Sequence, residues 1–375
     1  MQNSMAGASG QKKLLAIDGG GVRGVIALQV LARLESLLRE LSGNPAYRLC
    51  DYFDYIAGTS TGAIIATGLS FGMSVDDIFT IYRQRGRDIF TKAPFYRRWY
   101  FRYEGAPFDC VLREVFGANT RLGSDKLRTL LMMVLRNAST DSPWPLSNNP
   151  LAKYNTADLK SGESNLDLKL WQLVRASAAA PTFFPPVEIL VGSRPFLFVD
   201  GGVTPFNNPA LLLFLMATLP CYNLEWPSGA DRMLLVSVGT GVVPVNLPRP
   251  KMSNIGLLAS AAMVPSALIS AGILNQDMSC RAIGRCLAGH AIDSEVGDLI
   301  GYTPAAPRFT YLRYNAELSK SGLAAIGSDV LPERVQKLDL VDAVPELAEV
   351  GRALAAAAVR SEHFAGFPPI SRTCH

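Results

Sequence analysis

The stretch KLLAIDGGGVRGVIALQVLARLESLL, residues 13–38, decides the fold. Its first residues, KLLAI, predict a short buried strand that ends in the glycine-rich turn at 18–24. From Val25 to Leu41, apolar residues recur at helical spacing with charges on the other face, which predicts an amphipathic helix. The order strand, tight turn, helix is typical of a mainly parallel sheet covered by helices.

The same order recurs along the chain. A second strand is predicted at about 52–57, followed by the turn GTSTG and an apolar helix near 63–71. FLFVDGG and MLLVSVGTG also have the composition of strands. We therefore predict an α/β fold in a single domain over residues 1–375, with a flexible N-terminus at 1–12. The middle, about 83–150, lacks this order and is predicted to form a cap or insertion over the sheet.

Composition narrows the function classes. Hydrophobic residues make up 49% of the 375 and charged residues 18%, which provides material for a large core. A net charge of +4 is too small to indicate a nucleic-acid polymer as partner. The six cysteines form no CxxC pair, and no apolar run near the start resembles a signal peptide, so we expect a cytoplasmic protein with free thiols.

The segment 255–274 contains no charged residue and is about as long as a membrane span. Three interpretations are open: a buried or lid helix, a helix at the membrane surface, and a true span. Pro265, several serines and many alanines weaken insertion into a bilayer, so the first interpretation is favoured.

Ser60 lies at the centre of the pentapeptide GTSTG, residues 58–62. In a GxSxG turn, a nucleophilic serine is held on a sharp bend between strand and helix, and the flanking glycines leave room for it. An ordinary glycine-rich turn between strand and helix is the alternative for this motif alone. The apolar segments on both sides favour the nucleophile.

The turn at 18–24, DGGGVRG, is a candidate anion site. Consecutive glycines at the start of a helix expose backbone N–H groups, so Gly19, Gly20 and Gly21 are candidate donors to the oxyanion of an ester hydrolase. Arg23 could support this loop or bind a phosphate. A nucleotide phosphate loop is less favoured, because the lysine of GxxxxGK[ST] is missing.

Asp200 is the candidate base. It ends the apolar run FLFVD and precedes two glycines, so its carboxylate is expected at a strand end that is open to close approach. The alternative is an aspartate that only caps the turn. The three histidines, His290, His363 and His375, do not follow a predicted strand in this way.

These elements together resemble the patatin-like phospholipases. The resemblance rests on DGGGVRG, GTSTG and DGG in this order, with ASAAAPTFFPP at 176–186 and SVGTG at 237–241, and it extends over about residues 13–245. It implies a three-layer α/β/α fold and a Ser60–Asp200 dyad that needs no histidine, metal or cofactor. It also implies that the amides of Gly19–Gly21 form the oxyanion hole, with Arg23 at the arginine of the family motif.

The resemblance implies an enzyme that cleaves acyl esters, with membrane phospholipid as the expected substrate. A neutral-lipid lipase or acyltransferase with the same dyad stays open. A non-catalytic sensor of a nucleotide or a membrane also stays open, although a sensor does not need both Ser60 and Asp200.

Cations and aromatic residues alternate from Arg83 to Tyr103. This composition suits an anionic bilayer surface, and it equally suits a phosphate-bearing regulatory ligand. A solvated basic face whose aromatic rings pack into the cap is the plainer alternative.

FRYEGAPF at 101–108 and PLAKYN at 150–155 resemble the CapV-type bacterial patatin-like effectors of cyclic-oligonucleotide anti-phage signalling. This narrower resemblance implies activation by a cyclic dinucleotide, possible homo-oligomers in the active state, and action at the periphery of the inner membrane.

Overall fold

The computed structural model describes residues 10–156, 164–244 and 257–369. In these ranges, nine strands form one sheet. The strands are β1 Lys12–Ile17, β2 Tyr55–Thr59, β3 Leu130–Asn137, β4 Ser142–Ser147, β5 Val187–Val191, β6 Arg194–Asp200, β7 Met233–Val238, β8 Arg285–Ala288 and β9 Thr310–Tyr314.

Most of the sheet is parallel. β1 lies at its centre, between β2 and β7, and pairs in parallel with both. β3 continues the parallel sheet beyond β2, while β9 and β8 continue it beyond β7. Antiparallel pairing is confined to β4, β5 and β6 at the β3 end. The predicted α/β class with a mainly parallel sheet is confirmed.

The described helices alternate with the strands only in part. They are α1 Gly24–Ser42, α2 Leu49–Tyr52, α3 Thr61–Ser70, α4 Val75–Ile89, α5 Gly105–Phe116, α6 Leu170–Ser177, α7 Ala210–Thr218, α8 Leu257–Ile283, α9 Lys320–Ala325, α10 Pro332–Val335 and α11 Val344–Ala358.

Helices cover both faces of the sheet. Side chains of a strand alternate between the two faces, so β1 contributes apolar residues to each of them. On β1, Leu15 and Ile17 belong to the larger hydrophobic cluster, which also contains the apolar faces of α1, α3 and α11. Leu14 and Ala16 belong to a second cluster on the other face, together with α7 and Cys280 of α8. The result is three layers, with a strand that is buried from end to end in the middle one.

Part of the range 83–150 belongs to the sheet and not to the predicted cap. α4 extends to Ile89 and α5 follows, but Leu130–Asn137 is a strand inside the sheet rather than part of a cap. Its sequence, LLMMVLRN, is buried almost throughout and therefore lacks the alternation that marks a half-exposed strand. No glycine-rich turn leads from it into a helix, so the pattern of the other strands is missing. The assignment of residues 1–375 to a single domain stays a prediction.

The remaining segments are described in part. Residues 1–9 of the predicted flexible N-terminus lie outside the described ranges, and β1 already begins at Lys12. The uncharged segment 255–274 falls mostly in α8. Among the described helices, none is both long enough and apolar enough to cross a membrane.

Candidate active site

The strand β3 brings the two candidate catalytic residues together. β2 pairs with residues 130–134 of β3, and β6 pairs with residues 135–137. β4 occupies the opposite edge of β3 over 132–137, so β2 and β6 share one edge and meet end to end. Thr59 lies opposite Val134 and Asp200 lies opposite Leu135. Ser60, the next residue after β2, therefore faces the last residue of β6.

Ser60 lies on a strained turn between β2 and α3. Its φ of 57° is positive, a conformation that is uncommon for a residue with a side chain and recurs at functional sites. The flanking glycines make the turn possible: a Cβ at Gly58 would lie 2.0 Å from the Gly62 carbonyl oxygen, and one at Gly62 would lie 2.3 Å from that of Ile17. The Ser60 amide donates to Ser177 Oγ at 3.0 Å, which fixes the turn to α6.

The Ser60 hydroxyl donates to Asp200 Oδ2 at 2.7 Å. The other carboxylate oxygen, Oδ1, accepts from the Gly202 amide at 2.6 Å, so the carboxylate is oriented from both sides. Asp200 is only 3% exposed, and this burial raises its pKa to about 6. The hydrogen bonds from Ser60 and Gly202 and the charge of Arg175 oppose the rise.

The glycine loop lies beside this pair. Gly19 is so close that a Cβ there would lie 3.2 Å from Ser60 Cβ. Its amide is already used, because it donates to the Asn207 carbonyl at 3.0 Å. The amides of Gly20 and Gly21 have no acceptor among the described residues. Of the three predicted donors, these two are therefore available to an oxyanion, while Gly19 provides the space beside Ser60.

A third amide was missed in the sequence analysis. Thr61 begins α3, and its N–H has no acceptor in the described part of the chain, as expected in the first turn of a helix. In a GxSxG turn, the residue after the serine commonly contributes an oxyanion donor. The GxSxG motif alone therefore allows Thr61 to be predicted as an oxyanion donor.

Arg23 lines the cavity into which Ser60 and Asp200 open, and it is almost completely buried. Burial lowers the pKa of its guanidinium to about 10, and the charge of Asp18 opposes this effect. Its Nε has no hydrogen-bond acceptor among the described residues. Arg23 thus places a buried positive charge at the end of the glycine loop.

A buried ion pair anchors the start of the loop. The Asp18 carboxylate accepts two hydrogen bonds from Arg313 of β9, at 2.9 and 2.6 Å. Arg313 also donates to Ser237 Oγ of β7 at 2.7 Å. At the next residue, the Gly19 carbonyl accepts from Thr240 Oγ1 at 2.7 Å. These contacts hold the loop against the sheet; neither Arg313 nor Thr240 was singled out from the sequence.

Ser60 and Asp200 open into a cavity of about 660 Å³. The wall next to the dyad is largely apolar, with Ile64, Ile89, Phe108 and Phe184 among its residues. Neither described histidine, His290 nor His363, lines it; His375 lies outside the described residues. No cluster of His, Cys, Asp or Glu in the described ranges could hold a metal ion.

The geometry defines a class: an α/β protein with a serine on a tight strand-to-helix turn, paired with a buried aspartate. Residues 15–214 match the model of the family described as patatin-like phospholipase. Because this match spans more than half of the chain, the chain belongs to that family.

Similar proteins include plant patatins. Patatin-15 of Solanum tuberosum is 32% identical over 250 residues, which cover 61% of this chain and 60% of the relative. Patatin-17 of Solanum cardiophyllum is 31% identical over 245 residues, with the same coverage. The chain thus matches about 60% of the length of these relatives. Among solved structures, VipD from Legionella pneumophila aligns over 91% of this chain and 67% of its own, with a TM-score of 0.40 and 13% identity.

Proposed function

We propose that this chain is a lipid acyl hydrolase that cleaves fatty acyl esters of membrane phospholipids. The observation that carries the proposal is the 2.7 Å hydrogen bond from Ser60 Oγ to Asp200 Oδ2. A carboxylate at this distance can take the serine proton directly, so the pair needs no histidine. Family membership supports the same chemistry.

The reaction has two halves. Asp200 accepts the proton of Ser60 as Oγ attacks the ester carbonyl carbon, and the carbonyl oxygen becomes an oxyanion. The free amides of Gly20, Gly21 and Thr61 donate to this oxyanion. The intermediate then collapses to an acyl-serine, and the departing alcohol takes the proton from Asp200. In the second half, Asp200 removes a proton from the water that attacks the acyl-serine. The fatty acid leaves, and Asp200 returns this proton to Ser60 Oγ, which restores the dyad.

The environment of Asp200 suits this role. With a pKa of about 6, the carboxylate is mostly ionised at neutral pH and is more basic than an exposed aspartate. A base is most effective when its pKa lies near the working pH.

The shape of the cavity supports a lipid substrate. Its largely apolar wall suits an acyl chain, and Ser60 and Asp200 lie in the same cavity. A neutral-lipid lipase or an acyltransferase would use the same dyad, so the products distinguish these alternatives. Mixed phospholipid and triglyceride emulsions, analysed for free fatty acid and for transferred acyl groups, provide that comparison.

The first test is labelling with a fluorophosphonate probe, combined with fatty-acid release from phospholipid vesicles. We expect a single adduct on Ser60, and we expect Ser60→Ala to lose both labelling and hydrolysis. Ser321→Ala is the matched control, because Ser321 is an exposed serine at α9. Hydrolysis that survives Ser60→Ala would refute the assignment. A chain that is never labelled at Ser60, in any ligand state, would instead favour the non-catalytic sensor.

Activation by a cyclic dinucleotide, with self-assembly and action at the inner membrane, stays a prediction from the CapV resemblance. Neither the family match nor the plant relatives bear on it. Repeating the vesicle assay across a panel of cyclic dinucleotides tests it: faster fatty-acid release with one of them, together with a larger particle in size-exclusion chromatography, is the expected result.

A further inference from the structure

A loop at the mouth of the cavity is closed at its base. Lys92 and Tyr103 form an antiparallel bridge, and the Ala93 amide donates to the Arg102 carbonyl at 2.8 Å. The chain between them therefore forms a loop whose two ends are paired with each other. We call residues 92–103 the aromatic loop.

The tip of the aromatic loop presents large rings to solvent. The four exposed side chains, with their exposed fractions, are Phe95 at 79%, Tyr96 at 72%, Trp99 at 85% and Tyr100 at 79%. A soluble surface seldom displays several such rings side by side without a function. The plainer interpretation, with the aromatic rings of this region packed inward, holds for Phe90 and Tyr103 but not for these four.

The tip has a defined conformation. Residues Phe95–Arg97 form a short 3-10 turn, and the amides of Tyr100 and Phe101 donate to the Arg97 carbonyl. Arg98 reaches across the loop and donates from Nε to the Ala93 carbonyl at 2.7 Å. The rings are thus held outward by a hydrogen-bonded scaffold.

The base of the loop is part of the rim of the cavity. The amides of Arg102 and Tyr103 donate to the carbonyls of Thr182 and Phe183, at 3.0 and 2.9 Å. Arg102, Thr182 and Phe183 all line the cavity. Leu268 of α8 also lines it and is 60% exposed. A flat surface that covered the aromatic loop would therefore also approach the opening that leads to Ser60.

The charge of the loop is positive. Residues 92–103 contain four cations, Lys92, Arg97, Arg98 and Arg102, and no acidic residue. Arg97 pairs with Glu104 and Arg102 with Asp339, which leaves a net positive surface around the rings. Aromatic rings favour the headgroup depth of a bilayer, and cations next to them favour anionic lipids.

We propose that the aromatic loop docks the protein on an anionic lipid bilayer, with its rings at headgroup depth and the mouth of the cavity against the membrane. Its role in delivering lipid to Ser60 rests on the proposed function, but the docking itself does not. The cations between the rings and the position beside an apolar cavity favour a lipid surface over a protein partner.

The test uses the full chain with Ser60→Ala, so that vesicles stay intact. Co-sedimentation is measured with vesicles of phosphatidylcholine alone and with vesicles that also contain phosphatidylglycerol. We expect binding to the anionic vesicles, weakened by salt because the attraction is screened. Adding Trp99→Ala and Tyr100→Ala should reduce this binding about tenfold, because buried apolar area is lost at the interface. Tyr154→Ala, at an exposed ring outside the loop, is the matched control.

The proposal is overturned if the parent chain does not bind anionic vesicles, or if the loop variants bind them as well as the control does. Thermal unfolding verifies that the variants are folded, and Trp99→Phe, which keeps a ring, should retain most of the binding. If the rings serve a second copy of the chain instead, the variants change the oligomeric state and keep their vesicle binding, which also overturns docking.

Hydrolysis distinguishes this proposal from the proposed function. With Ser60 intact, the loop variants should lose activity on anionic vesicles while they keep activity on a soluble short-chain ester. If neither substrate is cleaved by the parent but vesicle binding still depends on the rings, the proposed function fails and docking stands.

Discussion

Asp18 and Asp200 occupy the same local sequence, Asp-Gly-Gly after an apolar strand, and both are almost completely buried. Their partners differ. Asp200 contacts a hydroxyl and an amide, whereas Asp18 contacts the two terminal nitrogens of a guanidinium. Burial raises the pKa of both carboxyls, and only at Asp18 does a cation in direct contact oppose it. One aspartate is left able to take a proton, and the other is fixed as an anchor.

The comparison teaches that burial alone does not make a base. The role of each aspartate depends on its neighbours. A cation in contact neutralises the carboxylate, whereas a hydroxyl and an amide only orient it. An Asp→Asn substitution should therefore have different effects at the two sites.

The largest expected effect is on catalysis at Asp200. Asp200→Asn keeps the shape of the side chain but removes the base, so kcat should fall by about 10⁴-fold. Fatty-acid release under single-turnover conditions measures it. Asp231→Asn, at an exposed carboxylate, is the control and should retain activity. A loss of less than about tenfold would mean that another group accepts the serine proton.

The next effect is on stability at Asp18. Arg313→Met leaves the Asp18 carboxylate buried without its cation, which should lower the free energy of unfolding by about 3–5 kcal/mol. Denaturant unfolding monitored by circular dichroism measures it. The double variant Asp18→Asn/Arg313→Met should recover much of the loss, because no unpaired charge remains. Equal stability of Arg313→Met and the parent would show that the pair does not anchor the loop.

Replacing aspartate with asparagine should change the free energy of unfolding in opposite directions at Asp200 and at Asp18. Its folded pKa of about 6 lies above the ordinary aspartate value of 3.8, so ionisation of Asp200 costs stability as pH rises through this range. Asp200→Asn should therefore be more stable than the parent by up to about 3 kcal/mol at pH 8, and the gain should disappear near pH 4. Asp18→Asn should instead be less stable than the parent at pH 8, because it leaves the completely buried Arg313 guanidinium without its counter-charge. Unfolding of all three chains at both pH values sharpens the contrast.

The smallest effect is on the pH dependence of the rate. Protonated Asp200 cannot accept the serine proton, so kcat/KM should fall about tenfold per pH unit below a pH of about 6 and level off above it. Hydrolysis of a soluble ester between pH 4.5 and 8 measures this profile. A midpoint near 4 would place Asp200 in an environment like that of an exposed aspartate, and the comparison with Asp18 would fail.

The local parts of the site were predictable from sequence. Ser60, Asp200 and the glycine loop each lie where a strand ends in a glycine-rich turn, and short motifs encode such turns. The use of the Gly19 amide by Asn207 was not predictable, because it depends on a loop far along the chain.

The long-range parts were not predictable. Arg313 lies 295 residues from Asp18, and no local pattern connects them. The sequence predicts a cap where β3 lies, because a strand buried on both faces has no alternation and resembles other apolar segments. Yet β3 is the strand that aligns Ser60 with Asp200.

The end-to-end meeting of β2 and β6 on β3 has a consequence for biosynthesis. A nascent chain that has emerged only as far as β3 contains the serine, its turn and the glycine loop, but not the carboxylate that would deprotonate the serine. Even after Asp200 has left the ribosome, the two groups are aligned only once three segments distant in the chain have paired in the correct register. Under the proposed function, a partly made or misregistered chain should therefore lack hydrolytic activity.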